Sequence, residues 1–183
     1  IKAALGNEPS CARLIEDSIE LTGGLDVLVN NAAVFHRDSL LDTTEAKLLE
    51  EFQINAFAPI YLTRAFAQMS SEGKVVNLLD QRVEGLECGA LPYVLSKKML
   101  ADFTKLAALE LAPAFAVNAV APGPILPPPG EGAERTRALA GSTPLGTDLT
   151  PADVAQAVVY LLEAESITGQ TIFVDGGQHL GKS

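Results

Sequence analysis

Apolar and polar positions along the chain follow two alternating periods. Leu25 to Ala33 (LDVLVNNAA) is a short apolar run bounded by Gly23-Gly24 and by Asn30-Asn31. That pattern suits a strand buried on both faces of a parallel sheet. Before it, Pro9 to Gly23 has helical spacing, with proline near the start and glycine past the end. After it, Thr43 to Met69 forms one long helical stretch, with Thr43 or Thr44 as the N-cap and Pro59 as a possible kink. Lys74–Leu79 then reads as strand, Pro92–Ala112 as helix, Phe115–Pro122 as strand, Thr150–Glu165 as helix and Gln170–Gly177 as a last strand. This alternation predicts an α/β fold, a doubly wound parallel sheet, as a single domain over residues 1–183. The Pro- and Gly-rich segment 122–148, with a short helix around Glu131–Gly141, is too long for an ordinary connection and reads as a substrate lid.

Composition narrows the class. With 183 residues, 48% hydrophobic and 20% charged, the chain can build one compact core. A formal charge of −10, with only 13 Lys and Arg spread along the sequence, argues against a nucleic-acid partner, which wants clustered cations. Cys11 and Cys88 stand too far apart for a disulfide framework and lack the paired neighbours of a metal site, so both are expected as free thiols and no metal is expected. No apolar run reaches the roughly 18 to 20 residues of a membrane span, and the first residues lack the pattern of a secretory signal. The expectation is a cytoplasmic protein with no membrane partner.

Ligands in open α/β sheets bind beyond the carboxyl ends of the strands. That rule selects Asn30, Asn31, Asp80, Pro122 and Gly123. Tyr93 and Lys97 lie one helical turn apart on one face, where an ammonium favours the phenolate and is expected to lower the phenol's pKa, making a proton donor for a hydride acceptor. By itself a Tyr/Lys pair at this spacing is common on amphipathic helices. Its context is more specific.

GGLDVLVNNAA, FQIN, KVVNLLD, YVLSK, VNAVAPGPI and TGQTIFVDGG occur in the order and approximate spacing of the short-chain dehydrogenase/reductase family, and the resemblance runs over essentially the whole chain. It implies a Rossmann-like subunit that transfers hydride from a nicotinamide cofactor, assembled as a homodimer or homotetramer. By this resemblance Tyr93 is the proton donor, Lys97 holds the nicotinamide ribose and tunes the tyrosine, and Asn55 anchors a water in the proton relay. Asn30, Asn31 and Ala32 correspond to the turn beside the adenosine, and Pro122, Gly123 and Ile125 to the segment under the nicotinamide.

Two departures qualify the match. No Gly-x-x-x-Gly-x-Gly turn precedes Leu25, so the expectation is that the first βαβ unit of such a protein is missing from this sequence. Between Lys74 and Tyr93 there is no Ser or Thr, and Asp80 stands thirteen residues before the tyrosine, where the family commonly carries serine. A carboxyl can donate a proton or accept from N–H groups, which suits a ring with a C=N bond. With Asp80, and with Phe35 four residues after Asn31, the chain is similar to the pteridine, dihydromonapterin and dihydrofolate reductases of the family, in which the phenylalanine stacks on the pterin. The ending DGGQHL is a weaker point of similarity to that subgroup. The subgroup implies NADPH and a pterin-like small molecule, with NAD not excluded. Other readings remain open: ordinary core packing for Phe35, and for Asp80 a loop residue partnering Arg82. The chain would then be a carbonyl reductase or a non-catalytic relative. His36 reads as a rim residue and is assigned no chemistry, nor is His179, which could approach a neighbouring subunit's site. Arg82 and Arg135 read as surface charge.

Overall fold

The computed structural model describes residues 1–86, 88–126 and 143–181. Four strands form one parallel sheet in the order β1 (Val27–Asn30), β2 (Gly73–Leu78), β3 (Phe115–Pro122) and β4 (Thr171–Val174). The register pairs Val29 with Val76, Val75 with Val117 and Ala121 with Phe173. Helices α1 (Glu8–Thr22), α2 (Glu45–Phe52), α3 (Ala58–Met69), α4 (Leu91–Glu110) and α5 (Pro151–Glu163) connect and cover the strands.

The period of two along each strand decides what each face packs against. Val75 and Val117 join Cys11 and Ile15 of α1, Leu62 and Phe66 of α3, and Ala107 and Ala108 of α4 in one core. Their neighbours Val76, Leu78 and Val120 point the other way, onto Leu161 of α5. Helices on both faces of a parallel sheet make this the doubly wound α/β fold expected from the pattern.

Three local expectations change. β1 is an edge strand in the described structure rather than one buried on both faces, with Val27 and Val29 42% and 39% exposed. An apolar run reports a preference for burial; it cannot report which neighbours are present. Thr44, not Thr43, is the N-cap, accepting from Lys47 N at the start of α2. The irregularity in the long helix lies just before Pro59, as a π-helical turn over Gln53–Phe57 that runs without a break into α3, so the disturbance expected at the proline, which has no N–H to give to the preceding turn, appears as a widened turn beside it. The helix expected within the lid lies outside the described residues.

Candidate active site

The strand ends and the start of α4 meet around Tyr93. Beyond β2 the chain enters a 3₁₀ turn (Gln81–Val83) capped by Asp80, whose Oδ1 accepts from Arg82 N at 2.9 Å. The cap holds the carboxylate where its Oδ2 accepts the Tyr93 hydroxyl at 3.1 Å and lies 3.0 Å from Arg82 Nη1. Asp80 therefore partners both the phenol and the guanidinium.

Pro92 in the first turn of α4 starts a helix that brings Tyr93 and Lys97 to the same face, 8% and 3% exposed. Lys97 Nζ donates to the Leu78 carbonyl at 2.7 Å, tying α4 to the last residue of β2. The phenol's pKa rises rather than falls, first because the ring is buried and then because Asp80 places negative charge against it. Lys97 is itself pushed down to about 8 by burial, against the opposing pull of Asp80 and Glu51. Helix spacing places an ammonium near the phenol and says nothing of burial or of Asp80. Packing supplies a dry site with a closer anion, so Tyr93 is held as a neutral O–H donor.

Phe35 stands edge-on to Tyr93, with ring centroids 4.8 Å apart and an interplanar angle of 88°. Arg82 and Arg37 approach the Phe35 ring at 5.8 and 5.9 Å. The loop carrying Phe35 is pinned by polar contacts that apolar periodicity does not reveal. Asn55 Oδ1 accepts Val34 N at 2.8 Å, and its Nδ2 donates to Val34 O at 2.9 Å. Glu51, fully buried, accepts His36 N at 2.7 Å, and Lys47 pairs with the buried Asp38. Leu91 N at the head of α4 donates to Asp38 O at 3.0 Å. Asn55 sits inside the π-helical turn, a placement typical of functional sites.

Asn30 turns inward, donating to Asn77 Oδ1 at 2.8 Å, and Asn77 in turn donates to Thr104 Oγ1 at 2.9 Å. Asn30 Oδ1 is buried with no hydrogen-bond partner among the described residues. Asn31 and Ala32 are exposed, and with Asn30, Leu28 and Ile54 they line a cavity of about 330 Å³ along β1. Pro122 is the last residue of β3 and Gly123 and Ile125 follow it, and a Cβ on Gly123 would lie 2.8 Å from the Asp175 Cα. A second cavity, of about 370 Å³, lies between Lys98, Asp102 and Lys105 of α4 and Thr171 of β4, and neither Asp80 nor Tyr93 lines it.

Glu51, Ser96 and Thr104 escaped the sequence reading. The i, i+4 spacing of Glu51 and Asn55 in EEFQIN was the available signal for the first, since it sets both on one helix face. Each histidine has an acidic partner: His36 Nδ1 lies 3.0 Å from Glu51 Oε1, and His179 Nδ1 lies 2.8 Å from Asp175 Oδ2. Arg135 lies outside the described residues.

A family model described as enoyl-(acyl carrier protein) reductase matches residues 1–179. A glucose and ribitol dehydrogenase homolog from Arabidopsis thaliana is 32% identical over 97% of this chain and 64% of its own length. A putative ketoacyl reductase of the granaticin polyketide synthase from Streptomyces violaceoruber is 34% identical over 98% of this chain and 76% of its own. Against the first two relatives the chain spans 64% and 65% of their lengths. Among solved structures, the FolM alternative dihydrofolate reductase 1 of Brucella canis, complexed with NADP, superposes with a TM-score of 0.94 at 33% identity, over 100% of this chain and 74% of the other. The Brucella suis protein in complex with NADP gives the same values. Sheet order, the Tyr93–Lys97 pair and these matches converge on one assignment: the chain belongs to the short-chain dehydrogenase/reductase family.

Proposed function

We propose that the full-length protein is an NADPH-dependent reductase of dihydropteridine or dihydrofolate-type substrates, working in the cytoplasm as a homodimer or homotetramer. The observation that carries the reading is the Asp80 carboxylate, which accepts the Tyr93 hydroxyl at 3.1 Å beside the Phe35 ring. The likeness to two NADP-bound alternative dihydrofolate reductases supports it. Self-association is supported by apolar residues left exposed on α4, among them Leu106 and Leu109. A cytoplasmic setting is supported by the unbonded thiols of Cys11 and Cys88, which suit a reducing compartment.

The residues present fit the nicotinamide half of such a cofactor. Lys97 and Tyr93 offer an ammonium and a hydroxyl at the strand ends, the missing side chain of Gly123 lets the end of β3 pack against Asp175, and Asn30 Oδ1 is an unmatched acceptor in a cavity wall. Lys97 and Tyr93 would hold the ribose, Pro122 to Ile125 would lie under the nicotinamide, and Asn30 to Ala32 would line the adenosine side. The glycine-rich turn for the pyrophosphate is not within these residues. NADPH would supply the hydride.

The chain's own groups then manage the proton. Tyr93, kept neutral by burial and by Asp80, is a donor toward a ring nitrogen or oxygen on the Phe35 side. Asp80 can accept a ring N–H or, once protonated, donate, and Arg82 fixes its orientation. Phe35 offers an aromatic edge and face for a flat substrate.

A carbonyl-reducing activity is the second reading, favoured by the names of the curated relatives. The test is NADPH oxidation by the full-length protein with dihydropteridines, dihydrofolate and a panel of ketones. Turnover of dihydropteridines is expected, and turnover of ketones alone would overturn the proposal.

A further inference from the structure

Glu51 is fully buried on α2, and the chemistry above gives it no task. A buried carboxylate is expensive unless every lone-pair direction finds a donor. This one finds three donors. Oε1 accepts His36 N at 2.7 Å and faces His36 Nδ1 at 3.0 Å, while Oε2 accepts Asn55 Nδ2. Asn55 Nδ2 also lies 3.2 Å from Ser96 Oγ, which donates to the Tyr93 carbonyl at 2.7 Å. Asn55 additionally clamps both backbone groups of Val34. The chain of bonds thus runs from His36, 39% exposed, through the interior to the backbone of the proposed proton donor. It also brackets Phe35, whose neighbours on both sides it holds.

We propose that Glu51, with His36 on its solvent side, is a positioning residue of this reductase, fixing Asn55 and the Val34–His36 backbone so that Phe35 stands as the substrate-facing wall against Tyr93. The inference rests on the reading of Phe35 as a substrate contact. A glutamine of the same shape cannot replace the carboxylate, because it has one acceptor oxygen and an NH₂ group. Whichever way that amide turns, its NH₂ confronts either the donors of His36 or the Asn55 Nδ2. A residue acting only through the core would lower stability and leave the kinetics of the folded enzyme alone. A residue positioning the wall moves substrate KM, because Phe35 contacts substrate and neither Glu51 nor His36 contacts the reacting atoms.

The test uses the full-length protein and its Glu51→Gln and His36→Phe variants. NADPH oxidation is followed with 7,8-dihydropteridine, and backbone hydrogen exchange is followed over residues 33–37. For Glu51→Gln, the expected result is a rise in dihydropteridine KM of about tenfold, the equivalent of one hydrogen bond, with the NADPH KM little changed. Exchange at 33–37 should quicken together with it. His36→Phe, at a half-exposed position where folding is not at risk, should raise the same KM by about threefold, since it removes only the ring contact. An unchanged KM in both variants, or unchanged exchange, overturns the proposal. If the wild type reduces ketones and no dihydropteridine, the proposed function falls separately, and the same KM split measured on the accepted ketone decides the role of Glu51.

Discussion

Replacing Asp80 by asparagine keeps the shape of the side chain and removes its charge. In the structure the carboxylate serves three donors: Arg82 N, Arg82 Nη1 and the Tyr93 hydroxyl. An amide oxygen can serve one side of that set, while the NH₂ group faces a donor on the other. A hydrogen bond to a charged group contributes about 1.5–3 kcal/mol, and the partly exposed ion pair with Arg82 adds no more than about 1 kcal/mol after solvent screening. Asp80→Asn should therefore lower stability by about 2–3 kcal/mol and leave the protein folded. The larger effect is on chemistry. A positioned proton-transfer group contributes about 10²–10⁴ in rate, so kcat/KM for a dihydropteridine should fall by at least about 100-fold. NADPH affinity should hold within about threefold, because Lys97 and the Gly123 segment remain in place. Steady-state NADPH oxidation gives the first quantity and a binding titration the second. If Asp80→Asn turns over the dihydropteridine within about threefold of wild type, the carboxylate has no part in the proton chemistry and the substrate argument fails with it.

Tyr93→Phe removes the hydroxyl that Asp80 accepts and should abolish reduction of pterins and ketones alike, by at least about 100-fold in kcat, in the same assay. Lys97 has a folded-state pKa of about 8, below its ordinary value, so above pH 8 the unfolded chain binds more protons and stability rises with pH, the penalty below that being full and constant. Urea titrations at pH values from about 7.5 to 9.5 should show about 2 kcal/mol of that rise, and Lys97→Met should lose it; equal slopes in the two proteins would contradict the burial argument. Gly123→Ala drives a Cβ against the Asp175 backbone at 2.8 Å and should lower stability by about 1–3 kcal/mol while raising the NADPH KM, and a neutral alanine would mean the strand ends yield easily.

The four strands were legible in the sequence because parallel strands need continuous apolar runs, and VVNLL and AVNAVA have them. The proximity of Tyr93 and Lys97 was legible too, since helix geometry fixes i, i+4 neighbours whatever surrounds them. Asp80, thirteen residues before Tyr93, could be singled out by its spacing alone. Its meeting with the phenol could not be derived from periodicity, because that contact depends on how the 3₁₀ turn carries the carboxylate back over α4. The direction of the tyrosine's pKa also belonged to the tertiary structure. Sequence names the nearby charges, and only packing decides which of them is closest and how dry the site is. Glu51 is the clearest case. As one of several acidic residues in EAKLLEEFQ it looks like a solvated helix face, and only the arrival of the Val34–His36 loop and of α4 against α2 turns it into a buried, hydrogen-bonded anchor. Local geometry is written in the chain at short range; burial and the pairing of distant polar groups exist only once the layers close.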